Sequence, residues 1–569
     1  MEKSLNKSIF RQLIPFTTWI RNYEGSWLRW DIVAGITLAS FVLPESMAYA
    51  TLAGLPPHFG IYCTLMGGLF FAFFTSAKHV AVGPTSSISL MVGSTVAILS
   101  GGDPQKWMAI AGLTALTVAI ICLVAWIFKL SSMVNFISDS ILVGFKAGAA
   151  LSIMATQLPK LFGLEGSSGN FFLRIAHLIP QLPGTNWPVF IFGAAALLIM
   201  IAGDHFFPGK PVSLGVVIVS ILLISFTGLS TYRFHVTGLI PSGLPSLSRP
   251  SIKFSDVDGV VELAFACFLM GYIETVSAGR TMGMKNGYTI DPRQELVSMG
   301  AANLATAFFS GYVVAGGLSQ STVNEKSGAK TPFSLIICSI SLAVILVFFT
   351  NLLTNLPEVI LAVIVLHAVA GLIKVKELKR IWQLNRMEFG IAIFALIGVL
   401  FFGILKGVIL SVVLSLLFII RKTANPTVAI LGRIGDKHAY SDIARHPDNI
   451  QIPGLLILRV ESSILYFNSE YILHKIMTAI EAAYPNIKEV IIDLSAASYV
   501  DVAGSKMLLQ LAGKLGEKGI SLKLADVLSD VRDILRKQNM EDIIGHIHRY
   551  SNLPEVVNEF TKQPANASS

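Results

Sequence analysis

The chain is poor in charge, since only 14% of its 569 residues are Asp, Glu, Lys or Arg, whereas 53% are hydrophobic. Soluble globular domains carry about 25% charged residues, so the composition excludes an ordinary soluble protein as a description of the whole chain. Apolar runs of about 20 residues, the length that spans a bilayer, recur between Asp31 and Arg421. The sequence therefore predicts a polytopic α-helical membrane protein.

Cysteine is also scarce. The chain has four cysteines, no two of them close together, and each falls in a predicted span: Cys63, Cys122, Cys267 and Cys338. This pattern indicates neither a disulfide framework nor a metal site. The histidines are scattered and no spacing of a nucleophile and a base stands out, so we expect no enzyme activity and no cofactor.

The basic residues that give the net charge of +8 are placed as in a membrane protein, and their positions do not indicate a nucleic-acid partner. Basic residues cluster in the N-terminal segment, between Arg280 and Arg293, in IKVKELKRIWQLNR (373–386), and at Arg421 and Lys422. If spans alternate across the bilayer, all these loops lie on one side. The positive-inside rule then places both termini in the cytoplasm of a multi-pass protein of the cell membrane, without a cleaved signal peptide.

The C-terminal part reads as a soluble α/β domain. LLILRVESSILYFNSEYI alternates as paired strands do, VIIDLSAA is typical of a buried strand, and DVAGSKMLLQLAGKLGEKG of an amphipathic helix. We therefore divide the chain into five parts. These are a cytoplasmic N-terminal segment (1–30), a transmembrane domain (31–422), a linker (423–449), the α/β domain (450–562) and a flexible tail (563–569).

Two short segments inside the apolar region resemble one another. VAVGPTSSIS (80–89) and VVAGGLSQST (313–322) both place a Gly-Pro or Gly-Gly step before hydroxyl-rich residues, and Glu45 and Glu274 precede them at a similar offset. This indicates an internal duplication with two interrupted helices, whose N-termini favour anions. Small hydroxylated residues also serve helix packing, and a buried carboxyl is also held protonated by a neighbouring helix. The repeated pattern with its two carboxyls favours a binding site.

These residues carry a family resemblance over almost the whole chain. LPESMAYATLAGLPPHFGIY, HVAVGPTSSISLMVG and NGYTIDPRQELVSMG resemble segments of the SulP family of anion transporters, which animals possess as solute carrier family 26. DLSAASYVDVAGSKML resembles the signature of a STAS domain. The resemblance implies about fourteen transmembrane segments in a seven-plus-seven inverted repeat, with core and gate domains that move as an elevator. It also implies a homodimer and a cytoplasmic STAS domain.

In the STAS domains of anti-sigma-antagonists, the loop carries a phosphorylatable hydroxyl before the glycine. This chain has Val502 and Ala503 there, so we expect a structural and dimerising role and leave a regulatory partner open.

The resemblance also implies the position of the substrate site, between the two interrupted helices. Its expected residues are Glu45, Tyr49, Thr85, Ser86, Ser87, Leu318, Ser319 and Gln320. The chain departs from common members of the family at two of them. Many members have Gln at the position of Glu45, and several animal members have Arg at the position of Gln320.

Without that Arg, anion binding must depend on helix dipoles and on hydroxyl and amide donors. Two ionised glutamates would repel a dianion, so protonation of Glu274 and Glu45 should accompany loading. We therefore predict a proton-coupled symporter of a small inorganic oxyanion, sulfate. The alternative substrates are bicarbonate and a dicarboxylate, and the alternative coupling ion is sodium, bound through Glu274. Two less favoured functions also stay open, a nucleobase permease and an anion channel.

Labelling of single cysteines tests the predicted topology. In a background in which the four native cysteines are replaced by alanine, Lys376→Cys should not react with an impermeant maleimide added to intact cells, whereas Arg174→Cys and Arg249→Cys should. The reason is that the basic loops stay in the cytoplasm. Reaction at Lys376→Cys without reaction at Arg174→Cys would show the opposite orientation.

Overall fold

The structure, a computed structural model, describes residues 15–101, 103–131, 139–167, 169–207, 211–226, 234–248, 257–435, 437–483, 485–548 and 551–562. Residues 1–14 of the predicted N-terminal segment, the predicted tail at 563–569 and Arg249 lie outside the described residues. The chain divides into two compact units, residues 1–415 and 416–569.

The first half of the membrane unit consists of helices and one short strand. One turn of α-helix (Phe16–Trp19) and a 3-10 turn (Gly25–Trp27) precede them, and another 3-10 turn (Leu182–Gly184) follows α6. The longer elements are α1 (Leu28–Leu52), α2 (Pro57–Phe74), β1 (Ala81–Gly83), α3 (Ser86–Ser100), α4 (Pro104–Ile127), α5 (Asp139–Phe162), α6 (Phe171–Gln181), α7 (Trp187–Phe206) and α8 (Val212–Phe226).

The second half repeats this plan. Its elements are α9 (Val257–Asn286), α10 (Pro292–Phe308), β2 (Ala315–Gly317), α11 (Leu318–Lys326), α12 (Phe333–Phe348), a short turn (Thr350–Leu353), α13 (Glu358–Ala370), α14 (Val375–Leu384), α15 (Arg386–Phe402) and α16 (Ile404–Ala424).

Seven helices in the described part of the chain are long and apolar enough to cross a membrane, and α3, α8 and α12 are shorter apolar helices. With α10, α15, α16 and the strand–helix pair β2–α11, the described residues contain fourteen segments. The predicted helical membrane fold with about fourteen segments is thereby confirmed.

Packing between the two halves is reciprocal. Helix α4 packs on α10 and α2 packs on α12, while α5 packs on α15 and α7 packs on α13. Helices α2, α4, α5 and α7 of the first half correspond in order to α10, α12, α13 and α15 of the second half. When each helix is exchanged for its counterpart, the α4–α10 contact becomes the α12–α2 contact, and the α5–α15 contact becomes the α13–α7 contact. Such an arrangement is typical of two inverted repeats.

The two strands interrupt two of the segments and pair with each other. They run antiparallel, with Val82 opposite Gly316, and both are buried. Side chains satisfy the flanking backbone, since Asn303 bonds both the N–H and the carbonyl of Val314 and Thr275 accepts from the N–H of Gly316. Non-helical backbone is tolerated in the apolar part of a membrane protein only under such conditions.

The C-terminal unit contains one five-stranded sheet with helices around it. Its elements are β3 (Val428–Arg433), β4 (Tyr440–Asp442), β5 (Leu455–Val460), α17 (Ser469–Ala483), β6 (Glu489–Asp493), α18 (Val502–Glu517), β7 (Ser521–Ala525), α19 (Ser529–Lys537), a turn (Glu541–Ile544) and α20 (Leu553–Lys562). The strand order is β4-β3-β5-β6-β7, and β5, β6 and β7 are parallel. Apolar residues of α17 and α18 pack on the strands, which makes the predicted α/β domain.

Strand pairing in this unit differs from the sequence prediction. Residues 461–468 do not form the second strand expected after β5, because Asn468 bonds the backbone of Leu465 and of Ser463 within a local turn. The antiparallel partner of β5 is instead β3. Both β3 and β4 lie within residues 423–449, the segment that the sequence analysis treats as a linker.

Close approach of α1 and α2 depends on Gly60. A Cβ there would overlap the carbonyl oxygen of Ser46. Gly60→Ala should therefore lower the Tm and the yield of monodisperse protein, because overpacking costs about 1–3 kcal/mol and a rigid carbonyl cannot move aside.

Gly390 in α15 provides the matched control. It is exposed, and a Cβ there meets nothing within 4 Å, so Gly390→Ala should keep or slightly raise the Tm. Equal Tm values for the two variants, measured by thermal unfolding in detergent, would contradict the assigned role of Gly60.

Candidate functional site

The short helices α3 and α11 begin at the same cavity. It has a volume of about 520 Å³, and its wall includes the starts of both helices together with residues of α1, α5, α7, α9 and α13. Thr85, the N-cap residue of α3, makes no side-chain capping hydrogen bond, and Gly317, the N-cap residue of α11, has no side chain that could make one. Because the first N–H groups of a helix have no acceptor within it, both helix ends present donors and the positive end of a dipole to this space.

Glu45 and Gln320 are in direct contact on the wall of the cavity. The Gln320 side-chain amide donates to Glu45 Oε2 at 3.1 Å and to the carbonyl oxygen of Pro84 at 3.3 Å. The Tyr49 hydroxyl donates to Glu45 Oε1 at 3.0 Å. The two positions at which the sequence departs from common members of the resembled family are therefore in direct contact.

Glu274 lies on the wall of the cavity and is held by the start of α3. The Ser87 hydroxyl donates to Glu274 Oε1 at 2.7 Å. Its other oxygen, Oε2, is buried and has no hydrogen-bond partner among the described residues. Thr85 Oγ1 and Gln320 Oε1 are also buried without a hydrogen-bond partner among the described residues. Three oxygen atoms of cavity-lining residues are thus available to a ligand, a water molecule or an ion.

The formal charges on the wall of the cavity balance. Three acidic and three basic residues line it: Glu45, Asp204, Glu274, Lys146, Lys326 and Lys374. Asp204 is also paired with His367, whose Nε2 lies 2.8 Å from Asp204 Oδ2. Protonation of either glutamate therefore changes the lining from neutral to net positive.

The structure brings together the residues that the sequence analysis selected. Seven of the eight expected substrate residues line the cavity, namely Glu45, Tyr49, Thr85, Ser86, Leu318, Ser319 and Gln320. The eighth, Ser87, reaches the site through its bond to Glu274, the expected coupling residue.

Other lining residues were not selected from the sequence. Phe41 and Ser277 lie one helical turn from Glu45 and Glu274, so a helix-face argument would have found both. Lys146 is a charged residue inside an apolar segment, and such residues are functional candidates by default. Lys326 and Lys374 lie at or beyond helix ends, where the sequence has no signal that distinguishes them from other basic residues.

Family comparisons agree with this architecture. The model of the sulfate permease family matches residues 28–395, and the STAS domain model matches residues 446–555. The first match covers the two interrupted helices and both glutamates of the cavity. The family is one of transporters, not of enzymes.

Individual proteins resemble the chain over most of its length. A probable sulfate transporter of Mycobacterium tuberculosis is 27% identical over 549 residues, which are 96% of this chain and 98% of the relative. The murine anion transporter solute carrier 26 family member A9, solved in the inward-facing state, superposes with a TM-score of 0.86 at 21% identity, over 94% of this chain and 92% of that one.

The transmembrane domain of the cyanobacterial bicarbonate transporter BicA superposes with a TM-score of 0.60 at 20% identity, over 69% of this chain and 98% of that one. At these identities the two solved structures concern the fold alone. Together with the family match, they lead to one conclusion. This protein belongs to the sulfate permease family and consists of a helical membrane domain of that family followed by a C-terminal STAS domain.

Proposed function

We propose that this protein is a secondary active transporter that carries a small inorganic oxyanion, sulfate, across the cell membrane together with protons. The observation that carries the proposal is the cavity in which two uncapped helix N-termini meet two glutamates. Helix N-termini supply N–H donors and a favourable dipole to an anion. The hydroxyl groups of Thr85, Ser86 and Ser319 line the same space and add donors.

The choice of sulfate depends on the relatives. The Mycobacterium tuberculosis relative, which matches the chain almost from end to end, is named as a probable sulfate transporter. BicA, whose transmembrane domain shares the fold, is named as a bicarbonate transporter, so bicarbonate is the competing substrate. The family match and the STAS domain speak against a nucleobase permease.

Proton coupling follows from the charges and from the unpartnered oxygen of Glu274. With both glutamates ionised, the lining is neutral, and the ionised carboxyls lie where a dianion would bind. A proton on Glu274 removes one negative charge and converts Oε2 into a donor that can bond an oxygen of sulfate. Release of the anion then favours loss of the proton, which couples the two fluxes.

Sodium is the rival coupling ion, and one observation favours it. The three unpartnered oxygens, Glu274 Oε2, Thr85 Oγ1 and Gln320 Oε1, are the hard donors that a sodium ion accepts. A cation there would neutralise Glu274 as a proton does. The two mechanisms differ in the gradient that drives uptake.

The transport cycle would move the α1–α4 and α9–α12 core against the remaining helices, as an elevator, with both termini in the cytoplasm. The cavity wall includes Lys374, which belongs to the loop expected on the cytoplasmic side, so we assign this conformation as inward-facing. We further propose a homodimer, to which the STAS domain contributes contacts and at which a regulatory partner acts.

Uptake into proteoliposomes tests the proposed function. Purified protein is reconstituted, and uptake of radiolabelled sulfate, bicarbonate, chloride and fumarate is compared under separately imposed proton and sodium gradients. Sulfate uptake driven by an inward proton gradient is expected. Uptake that follows sodium and ignores pH would refute the proton mechanism, and uptake of bicarbonate without sulfate would refute the assigned substrate.

Ser319 tests the position of the anion site. Ser319→Leu should lower the initial rate of sulfate uptake at least about tenfold, because it fills the space between two helix ends and removes a donor. Ser40→Leu is the matched control, since the hydrogen bond that Ser40 donates within the described part of the chain is to its own helix, at the carbonyl oxygen of Ile36. Unchanged uptake in Ser319→Leu would show that the anion binds elsewhere.

Glu274 tests the coupling. Glu274→Gln should still bind sulfate but should lose the response of uptake to a pH gradient, because a neutral amide imitates the protonated carrier and cannot release a proton. The Ser87 hydroxyl can still donate to the amide oxygen, so local packing is preserved. Binding is measured by the sulfate-dependent rise in Tm, and coupling by uptake with and without an imposed pH gradient.

Two further variants serve as controls for that experiment. Glu45→Gln restores the commoner family residue and should weaken the pH dependence without stopping transport. Glu262→Gln, an exposed position on the same helix as Glu274, should change neither property. A normal pH response in Glu274→Gln would refute the assignment of Glu274 as the proton carrier.

A further inference from the structure

A second cavity lies at one end of the membrane unit and shares no lining residue with the transport cavity. Its volume is about 850 Å³. It is bounded by the N-terminal arm (residues 15–27), by the ends of α2 and α4, and by the starts of α10 and α12. Such a volume lies at the upper part of the range for small-molecule sites and far exceeds the size of a bare oxyanion.

The wall of this cavity is rich in donors and positive charge. Lys78, Arg293 and Lys330 line it against one acidic residue, Asp291, whose Oδ1 already accepts from the backbone N–H of Arg293. Arg293 Nε and Trp19 Nε1 are buried, and neither has a hydrogen-bond partner among the described residues. The Arg293 guanidinium also donates to the carbonyl oxygen of Trp126 through Nη2, at 3.4 Å. Three cationic side chains therefore line the cavity against one carboxylate, and two buried N–H groups of lining residues have no acceptor among the described residues.

Two buried carboxyl groups lie behind the wall, but other donors already satisfy them. Asp31 accepts from the backbone N–H groups of Lys330 and Thr331 and from the Thr331 hydroxyl. Glu295 accepts from Thr75 and Ser76. Neither carboxyl lines the cavity, so neither competes with a ligand for the Arg293 and Trp19 donors.

The surroundings match the interface between a membrane and water. Trp19, Trp27 and Trp126 line the cavity at helix ends, where tryptophan is enriched in membrane proteins. The Arg293 guanidinium lies 5.1 Å from the centre of the Trp126 ring. Next to Trp126, Ile127 and Phe128 are 54% and 69% exposed, so apolar surface continues from the cavity.

We propose that this cavity binds the phosphate-bearing headgroup of an anionic phospholipid, with the acyl chains along the exposed apolar surface at the end of α4. Basic pockets between membrane helices on the cytoplasmic side are suited to such headgroups. Arg293, Lys330 and Trp19 supply the donors. Because Trp19 belongs to the N-terminal arm and Arg293 to α10, the bound lipid ties the arm to the ends of the core helices.

Native mass spectrometry of the full-length protein tests the proposal. The detergent-solubilised protein is titrated with phosphatidylglycerol and with phosphatidylcholine of the same acyl chains, and then with glycerol 3-phosphate as a competitor. The unaltered protein should prefer phosphatidylglycerol about fivefold or more, since each basic group near an anionic lipid contributes such a factor. The Arg293→Gln/Lys330→Gln double variant should lose that preference.

Lys379→Gln is the control, because it removes one positive charge at an exposed position on α14 outside the cavity, and it should keep the preference. Trp19→Phe removes only the indole N–H and should weaken phosphatidylglycerol binding by a factor of about 2–5, which tests the site even if the double variant does not fold. Full preference in both cavity variants would refute the site. Displacement of the lipid by an equal concentration of glycerol 3-phosphate would refute a lipid ligand in favour of a free phosphate ester.

Discussion

The antiparallel pairing of Ala81–Gly83 with Ala315–Gly317 is the interaction on which the membrane domain depends. It joins one residue stretch from each half of the chain and directly precedes α3 and α11, so that both helices start inside the domain, at the cavity. Unpaired backbone at that depth would cost several kcal/mol for each group, and the strands with Asn303 and Thr275 remove this cost. The small residues are required as well, since a Cβ on Gly316 would lie 2.9 Å from Cα of Thr275.

Gln320 joins three elements at the wall of the cavity. It lies in the first turn of α11. Its side-chain amide donates hydrogen bonds to the carbonyl oxygen of Pro84, just before α3, and to the carboxylate of Glu45 in α1. A neutral amide at this position leaves Glu45 without a cationic partner. The positive charge of the cavity comes instead from Lys146, Lys326 and Lys374, so its net charge is set by the protonation of two glutamates. This arrangement supports proton coupling in a chain that lacks the arginine of several animal relatives.

The two cavities use similar chemistry in different places. The cavity proposed for transport presents helix N-termini and hydroxyl groups in the interior of the domain. The second cavity presents arginine, lysine and indole donors among tryptophan residues at the helix ends. Its size and its apolar border favour a larger amphipathic anion. In our two proposals, burial and the polarity of the surroundings distinguish the transported anion from the structural one.

Local sequence determined the class of the protein, and its resemblance to a family supplied the candidate site residues. The apolar runs, the basic loops and the repeated Gly-Pro and Gly-Gly segments each express a physical rule that acts over 20 residues or fewer. These patterns predicted the helical membrane fold and singled out both glutamates, whereas the family resemblance implied Thr85, Ser319 and Gln320 as substrate residues.

Only the tertiary structure decided which of these residues touch. The contact between Glu45 and Gln320, the unpartnered oxygen of Glu274, the place of Lys146 in the cavity wall and the pairing of β5 with β3 all follow from packing between distant parts of the chain. A periodic pattern shows which face of an element is buried, but the identity of the neighbour depends on how the two repeats interlock, and no local preference encodes that.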